Sequence, residues 1–283
     1  MGATLIDGKA VSQRLLQSVQ TQVLERKQKG LREPCLAVIQ VGDDPASMLY
    51  VRNKKIACEK VGIRSLSFER PGNFSEREIL ELIDELNANP EVDGILVQLP
   101  LPNNIRSDKV IEHIAPEKDV DGFHPYNVGR LAVGRPALRS CTPKGIMMLL
   151  ETYGITLKGK SVTVIGQSNI VGKPTCLELL MKDATVSICN RETRYLPDYT
   201  KKADIIIAAA GSPGLVGADA VQEGVVVIDV GINRLSDGRI VGDVDFFQVK
   251  EKASYITPVP GGVGPMTIAS LMDNTLIAAQ VLS

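Results

Sequence analysis

The alternation of apolar and polar residues along this chain predicts strands and helices that follow one another in turn. Short apolar runs between turn residues predict strands that are buried on both faces of a parallel sheet. Longer stretches with apolar residues three and four positions apart predict helices. The first half contains three predicted strands and four predicted helices: strands 36–41, 64–68 and 94–98, and helices 7–29, 46–61, 75–88 and 108–114.

The second half opens with a helix predicted at 145–153, for which Thr142 is the N-cap and Pro143 the first residue. We place the boundary between two domains near this helix. The elements predicted after it are strands 161–165, 185–189, 204–210 and 225–230, and helices 170–181 and 266–281. Strands that alternate with helices are typical of α/β folds with a parallel sheet. A chain of 283 residues, 44% of them apolar, is long enough for two such cores.

Composition argues against several classes of function. The net charge is −1, tryptophan is absent and no block of Lys or Arg occurs, which disfavours binding to nucleic acid or to an anionic membrane. No apolar run is long enough to span a bilayer, and the first residues do not resemble a signal or transit peptide. Five scattered cysteines predict reduced thiols in a cytoplasmic protein. With only two histidines and no metal-ligand spacing, we expect no metal site.

The segment after strand 161–165 has the context of a dinucleotide-binding turn. The strand breaks at Gly166 and leads into a predicted helix, whose free N–H groups and positive dipole end can hold a phosphate. Ser168 stands where the G-x-G-x-x-G pattern has its second glycine, and the last glycine comes late. The spacing alone is therefore compatible with a nucleotide site and with an ordinary tight turn.

Lys54 interrupts an apolar and aromatic stripe on predicted helix 46–61. Tyr50, Lys54 and Cys58 are four residues apart, and so they share one face of the helix. A lysine in this position often extends from the edge of the core to solvent. The alternative is that a partly desolvated amine serves as an acid/base group.

Gln98 and Asp121 are further candidates in the first half. Gln98 ends an apolar strand at its carboxyl edge, where open α/β sheets bind ligands, although a glutamine that only caps the strand is the simpler interpretation. Asp121 lies in a charged loop, between Val120 and Gly122. Such loops are usually only solvated, but a partly shielded carboxylate there can accept hydrogen bonds from a ligand.

With these residues assembled, the chain resembles the bifunctional methylenetetrahydrofolate dehydrogenase/methenyltetrahydrofolate cyclohydrolase family over nearly its whole length. Each of the motifs behind the resemblance is modest evidence alone, and all of them in order are specific. They are 50–54 (YVRNK), 97–102 (VQLPLP), 118–123 (KDVDGF), 164–174 (VIGQSNIVGKP) and 257–267 (TPVPGGVGPMT).

The resemblance implies a role for each candidate residue. It implies that Lys54 is the catalytic amine and that Gln98 positions and tunes it. It also implies that Tyr50 stacks on the folate and that Asp121, a third catalytic residue, holds the pterin ring. The loop of Pro260, Gly261 and Gly262 lines the folate pocket. The expected cofactor-binding residues are Gly166, Gln167, Ser168, Ile170, Arg191, Gly211 and Ile232.

The resemblance also implies the fold and the activity. We expect two α/β domains, the second a Rossmann-type parallel sheet, joined by two helices with the active site in the cleft. Residues 1–140 and the C-terminal helix 266–283 would form the folate-binding catalytic domain, and residues 141–265 the NADP-binding domain. The enzyme would oxidise 5,10-methylenetetrahydrofolate and hydrolyse the product to 10-formyltetrahydrofolate, as a cytoplasmic homodimer in one-carbon metabolism and purine biosynthesis. The alternatives are another two-domain dehydrogenase, of the amino-acid or shikimate type, and a nucleotide-sensing module without activity.

The choice of cofactor rests on residues that depart from the family pattern. Many members that use NADP carry an arginine directly after the first glycine of the turn, where this chain has Gln167. Arg191 can supply the charge for the 2′-phosphate, whereas Glu192 would repel it. Alternation along the extended chain places these two side chains on opposite sides, so only one of them can face the ribose. We favour Arg191 as the inward residue and therefore NADP.

Overall fold

The computed structural model describes residues 2–282. Its strands, in chain order, are β1 (Thr4–Leu5), β2 (Cys35–Val41), β3 (Arg64–Arg70), β4 (Gly94–Val97), β5 (Ser161–Ile165), β6 (Thr185–Cys189), β7 (Ile205–Ala208), β8 (Val226–Asp229), β9 (Asn233–Arg234), β10 (Ile240–Val241) and β11 (Tyr255–Ile256). Every strand longer than two residues coincides with one predicted from the sequence, with shifts of at most two residues at either end.

The helices account for the connections between these strands. They are α1 (Gly8–Gln28), α2 (Pro45–Val61), α3 (Glu76–Ala88), α4 (Ser107–His113), α5 (Pro125–Ala132), α6 (Cys141–Thr152), α7 (Gly172–Leu180), α8 (Pro197–Thr200), α9 (Phe246–Val249) and α10 (Val263–Val281). Ser75 caps α3 through the reciprocal hydrogen bonds of a capping box with Glu78. None of the helices in this part of the chain is long and apolar enough to cross a membrane.

The chain divides into two compact units. The three-stranded unit comprises Gln13–Cys141 together with the chain from Ile268 onward, and the six-stranded unit comprises Thr142–Thr267 together with the chain up to Ser12. After residue 140 the chain passes from one unit to the other twice. The first passage is near the start of α6, and the second is inside α10.

The sheet of the three-stranded unit is parallel, with strand order β3-β2-β4. Leu36 and Val38 of β2 belong to one apolar cluster, which also contains residues of α1, α2 and α10. The alternate residues Ala37 and Ile39 belong to a second cluster, which contains residues of α3 and α4. The sheet is therefore covered on both faces, as its continuous apolar strands predicted.

The sheet of the six-stranded unit is parallel throughout, with strand order β1-β11-β8-β7-β5-β6. Strand β5 lies between β6 and β7. The chain first passes from β5 to β6 on one side and then returns across β5 to β7 on the other side. This reversal is the position at which open α/β sheets bind their ligands, outside the carboxyl ends of the strands. The predicted Rossmann-type sheet is therefore confirmed.

The elements that sequence patterns did not predict are short. Strands β1, β9, β10 and β11 have two residues each, which is too few to show a period of two, and α8 and α9 have four residues each. Helix α5 follows directly on the charged loop 116–124, where turn residues concealed its start. The predicted helix 170–181 begins only at Gly172.

Candidate active site and cofactor-binding loops

The amine of Lys54 is buried in the three-stranded unit. Lys54 is only 8% exposed, and its Nζ donates a hydrogen bond of 3.0 Å to Oε1 of Gln98. A lysine that extended to solvent would leave its amine in water, so the first interpretation of the stripe does not describe this side chain. Gln98 Oε1 is its hydrogen-bond partner within residues 2–282, which leaves donor capacity of the ammonium group unused.

Gln98 is held in place from both of its ends. Its backbone N–H donates to Ile39 O at 2.8 Å and so extends the pairing of β4 with β2 by one residue. Its Nε2 donates to Leu99 O at 2.7 Å, which directs Oε1 toward Lys54. The following Leu99-Pro100 peptide bond is cis. A glutamine at the carboxyl end of β4 therefore presents an acceptor to the amine carried by α2.

Asp121 is a half-buried carboxylate near this amine. Desolvation raises the pKa of Asp121 to about 6, although the positive charge of Lys54 acts in the opposite direction. No side-chain hydrogen bond to its carboxylate exists in residues 2–282, so both oxygens can accept from a ligand. On the same unit, the ring of Tyr50 is 37% exposed on α2. Burial raises the pKa of its hydroxyl, which therefore stays protonated.

The loop that carries Asp121 is organised by Asp119, which sequence reasoning did not single out. Asp119 is 1% exposed and accepts from the backbone N–H groups of Phe123 and His124 and from Nδ2 of Asn127. Burial raises the pKa of Asp119, and these donors oppose the shift. Asp119 also forms a parallel bridge with Ile95 of β4. The loop that resembled a solvated turn in sequence is thus an extension of the sheet.

Asn274 of α10 fixes the same loop from the distant C-terminus. Its Nδ2 donates to Val120 O at 2.8 Å and to Arg139 O at 2.7 Å. The backbone of Asp121 is also fixed, because its O accepts from the N–H of Cys141 at 3.3 Å. A buried asparagine within an apolar helix was the available sequence signal for this role, but its partners are more than a hundred residues away.

In the six-stranded unit, Gly166 ends β5 in a conformation that favours glycine, with φ of +115°. A Cβ there would lie 2.1 Å from Ala209 O. The late Gly172 has the packing role of the last glycine in the pattern, since its Cβ would lie 2.0 Å from Gly166 O. The turn is therefore one residue longer than the usual fingerprint and keeps its close contact between helix and strand.

Ser168 replaces the second glycine and stabilises the start of α7. Its Oγ accepts from the N–H groups of Val171 at 3.2 Å and Gly172 at 3.3 Å. Since the oxygen is the acceptor in both bonds, the hydroxyl hydrogen can be donated to a ligand. Ile170 lies within the same turn and is partly buried.

Gln167 and Asn190 join the ends of β5 and β6, because Asn190 Nδ2 donates to Gln167 Oε1 at 3.0 Å. The assumption that the chain is extended after β6 is wrong. Thr193 N donates to Asn190 O, and Glu192 N donates to Asn190 Oδ1, so residues 190–193 form a turn. Strand alternation therefore does not decide between the two charged side chains here. Arg191 itself is exposed and has no hydrogen bond or ion pair in the described residues.

Gly211 and Ile232 follow β7 and β8 at the same edge of the sheet. Gly211 has φ of +65°, and Ile232 is 52% exposed. The backbone N–H of Gly211 donates to the buried carboxylate of Asp243 at 2.9 Å. Asp243 lies in a short mixed stretch between the two-residue strand β10 and helix α9, where no sequence signal distinguished it from the nearby Asp245.

The loop of Pro260, Gly261 and Gly262 packs on the start of α1 within the six-stranded unit. Lys9 N donates to Gly261 O at 3.1 Å. Gly261 has φ of +109°, and the Val259-Pro260 peptide bond is cis. A Cβ on Gly262 would lie 2.6 Å from Pro258 O, so the loop is closed tightly on itself.

The strand ends of the six-stranded unit fit a nicotinamide dinucleotide. They combine a glycine turn at the reversal of strand order, an α-helix that starts behind it, and an unpaired guanidinium at the end of the adjacent strand. Within residues 2–282, no group of three or more His, Cys, Asp or Glu side chains is arranged to hold a metal ion. The five cysteines are free thiols.

Comparison with known proteins covers both units. The family model for the tetrahydrofolate dehydrogenase/cyclohydrolase catalytic domain matches residues 6–121, and the model for the NAD(P)-binding domain matches residues 140–283. The bifunctional protein FolD of Neisseria gonorrhoeae is 58% identical over 281 residues, 99% of each chain.

Solved structures show the same likeness. The bifunctional enzyme FolD, a methylenetetrahydrofolate dehydrogenase/cyclohydrolase from Campylobacter jejuni, is 53% identical with a TM-score of 0.97, over 99% of each chain. The methylenetetrahydrofolate dehydrogenase-cyclohydrolase of Trypanosoma brucei, solved with NADP and an inhibitor, is 37% identical with a TM-score of 0.95, over 99% of this chain and 98% of that one.

Proposed function

This chain belongs to the tetrahydrofolate dehydrogenase/cyclohydrolase family, and we propose that its two reactions are divided among the residues described above. The enzyme oxidises 5,10-methylenetetrahydrofolate with NADP and hydrolyses the methenyl product to 10-formyltetrahydrofolate. The resemblance found in the sequence motifs is confirmed. The assignment separates the chain from the amino-acid and shikimate dehydrogenases considered above.

The single observation that carries the residue assignment is the Lys54–Gln98 pair. Lys54 is buried beside an amide oxygen, so its amine is fixed without being neutralised by a carboxylate in direct contact. In its unprotonated form, Lys54 accepts a proton from the water that attacks the methenyl carbon. The new carbon–oxygen bond forms as that proton leaves the water. The bond from this carbon to the ring nitrogen then breaks as the hydroxyl group becomes the formyl carbonyl, and the hydroxyl proton passes to that nitrogen. The proton taken up by Lys54 is released to solvent. Gln98 acts by holding Nζ at a fixed position.

Oxidation requires orientation and no protein base. When bound, NADP supplies the nicotinamide ring that accepts the hydride. Asp121 holds the pterin by accepting from its N–H groups, and Tyr50 offers a half-exposed ring for stacking. Because both reactions use the same folate, Asp121 and Tyr50 contribute to each. The contact of Pro260, Gly261 and Gly262 with the folate stays a prediction.

The cofactor-binding residues proposed are those of the strand ends in the six-stranded unit. Gly166 and Ile170 shape the turn for the pyrophosphate, and the hydroxyl of Ser168 can donate to it. Gln167 and Arg191 lie at the ends of β5 and β6, where the adenosine ribose of such cofactors binds. The guanidinium of Arg191 suits a 2′-phosphate. Gly211 and Ile232 complete the site from β7 and β8.

The test is direct. Purified protein is mixed with methylenetetrahydrofolate and NADP, and reduced cofactor and 10-formyltetrahydrofolate are both measured. Methenyltetrahydrofolate is supplied separately, without cofactor, to measure hydrolysis alone. We expect both activities. Absence of hydrolysis above the spontaneous rate would contradict the role given to Lys54.

We also propose that the enzyme is a cytoplasmic homodimer whose product feeds purine biosynthesis. Strand β6 ends its sheet and pairs only with β5 among the described strands. Ile188 of β6 and the adjacent Leu180 and Met181 are exposed apolar side chains, at 42%, 54% and 39%. Light scattering should give twice the chain mass, and Ile188→Lys should lower it. A monomer at all concentrations would contradict the dimer.

A further inference from the structure

The carboxylate of Asp243 is fully buried and accepts four hydrogen bonds. Oδ2 accepts from the backbone N–H groups of Ala210 at 2.7 Å and Gly211 at 2.9 Å. Oδ1 accepts from the N–H of Ser212 at 2.9 Å and from Nδ2 of Asn233 at 2.8 Å. The side chain of Asp243 therefore forms hydrogen bonds both with the loop after β7 and with the segment after β8.

A second buried carboxylate supports the first. Asp229, at the end of β8, accepts from the N–H of Asp243 at 2.9 Å, of Gly231 at 3.0 Å and of Val244 at 3.0 Å. Burial raises the pKa of Asp229 to about 6, and the charge of Asp243 adds to the shift. The network thus holds the backbone of Asp243 as well as its side chain.

The glycines around this network show how closely the chain approaches it. A Cβ on Gly231 would lie 2.3 Å from Oδ1 of Asp243, and a Cβ on Gly242 would lie 1.8 Å from Oδ2 of Asp229. Both positions exclude any larger residue unless the carboxylates move. A stretch that places two carboxylates against two glycines is costly to build, because buried charges need full hydrogen bonding.

We propose that Asp243 is a positioning residue for the nicotinamide cofactor, which it serves by fixing the loops that carry Gly211 and Ile232. The inference rests on the proposed function, since those two residues are cofactor-binding only under it. Asp243 does not itself touch the cofactor. It acts by giving each loop a single position before the cofactor binds, which reduces the entropy lost on binding.

The network also restricts how Gly211 can contribute. Its N–H already donates to Asp243, so it is not available for a phosphate or an amide of the cofactor. Its φ of +65° favours glycine, and a Cβ there would meet no protein atom within 4 Å. Gly211 therefore contributes exposed backbone with open space at its Cα, and Asp243 holds the loop in that conformation.

Asp243→Asn tests the inference, because all four partners of the carboxylate are donors. Each carboxylate oxygen of Asp243 accepts from two donors. The amide of asparagine keeps one oxygen and replaces the other with an NH₂ group, which cannot accept, so two of the four hydrogen bonds are lost. We expect the dissociation constant of NADP, measured by calorimetry, to rise about 10- to 100-fold. The KM for NADP should rise in parallel, while hydrolysis of methenyltetrahydrofolate, measured without cofactor, should keep its kcat and KM.

Two further variants keep the test decisive. Among residues 2–282, Asn233 supplies the one side-chain donor to Asp243. Asn233→Ala removes it and leaves the three backbone contacts, so this variant should fold and weaken NADP binding by about threefold to tenfold. Asp237→Asn is the matched control, because Asp237 lies in the turn between β9 and β10 and pairs only with Arg239. Its NADP affinity should equal that of the parent.

The outcomes separate the possibilities. Unchanged NADP affinity in Asp243→Asn, or in Asn233→Ala when the first variant does not fold, would overturn the positioning role. A parallel loss of both activities without a change in NADP affinity would also overturn it, since that result describes a structural residue. A parent protein that neither binds NADP nor oxidises methylenetetrahydrofolate would overturn the proposed function and this role with it.

Discussion

The three-stranded unit contains two pairs of one lysine and one aspartate, and the two pairs differ in their hydrogen bonding. The first pair is Lys118 with Asp119, and the second is Lys54 with Asp121. Lys118 is 6% exposed, and its Nζ donates to Leu86 O, Asn87 O and Asn89 O at 3.1, 2.9 and 2.8 Å. Its neighbour Asp119 accepts from three donors. Lys54 is equally buried but donates to Gln98 alone, and Asp121 accepts no side-chain hydrogen bond from residues 2–282.

Because both lysines are buried, burial alone does not identify the functional charge. Incomplete hydrogen bonding does. Lys118 closes the C-terminal end of α3, where helix carbonyls lack partners. Its bonding capacity is filled by the protein, so it has none to offer a ligand. Lys54 and Asp121 retain hydrogen-bonding capacity that the described residues do not fill and that a substrate can fill. Such groups cost stability when the site is empty, which is typical of active sites.

The largest effect should come from Lys54→Met, which removes the amine and keeps most of the apolar stem. Cyclohydrolase activity should fall by about 10²- to 10⁴-fold, the usual contribution of a general acid/base group. The thermal midpoint should not fall, because the lost amine had one partner. Lys55→Met, at the exposed neighbouring position, is the control and should hydrolyse at the parent rate. Near-parent hydrolysis in Lys54→Met would make Lys54 a structural residue like Lys118.

Asp121→Ala should weaken both activities, because each depends on the placement of the same folate. A charge-assisted hydrogen bond is worth about 1.5–3 kcal/mol, so the KM for folate should rise roughly 10- to 150-fold. The measurement is kcat and KM for oxidation and hydrolysis on one preparation. Full retention of one activity beside loss of the other would remove Asp121 from the shared role.

Arg191→Ala extends the comparison to the six-stranded unit, since the guanidinium has no partner there. NADP affinity should fall by roughly 10- to 150-fold, and NAD affinity should stay nearly the same, because only the 2′-phosphate is lost as a partner. Binding of both cofactors is measured by calorimetry. Lys182→Ala, on the exposed end of the α7 region, serves as the control for a general loss of positive charge. A parent that prefers NAD would contradict the assignment.

Lys118→Met should have the opposite signature to Lys54→Met. Three backbone carbonyl oxygens lose the bond from the Lys118 amine, so the free energy of unfolding should drop by about 1–3 kcal/mol. Activity per folded molecule should stay near that of the parent. Denaturant unfolding and assays at a temperature well below the midpoint give the two quantities. If stability is unchanged while hydrolysis is abolished, the distinction between the two lysines is wrong.

An effect on stability of similar size depends on pH. Burial raises the pKa of Asp121 from 3.8 to about 6, so between about pH 4 and 6 the folded state binds more protons than the unfolded state. The contribution of Asp121 to stability therefore falls as pH rises through this window. Asp121→Asn avoids that loss and should be more stable by about 1–3 kcal/mol at pH 7 and equal to the parent near pH 4. A gain that does not depend on pH would contradict the raised pKa.

The order of elements and the chemistry of the candidate residues could be predicted from local features of the sequence. Continuous apolar strands, capping residues and glycine stops are local signals, and they located β2 to β8 and the helices between them other than α5 and α8. Lys54 in a helical stripe and Gln98 at a strand end were recognisable because each departs from a local pattern. The family motifs added the activity, since they preserve residue types at fixed spacing.

Which charged side chains have their hydrogen bonds filled could not be predicted, because that depends on contacts between distant segments. Asp119 and Asp121 are two residues apart in one motif, yet the first is enclosed by donors and the second is not. Asn274 reaches a carbonyl 154 positions away, and Asp243 gathers a loop more than thirty residues before it. Hydrogen bonds between distant segments leave no periodic trace in the chain, because they depend on how strands and helices are brought together. The functional difference between two similar pairs of charges therefore arises in folding.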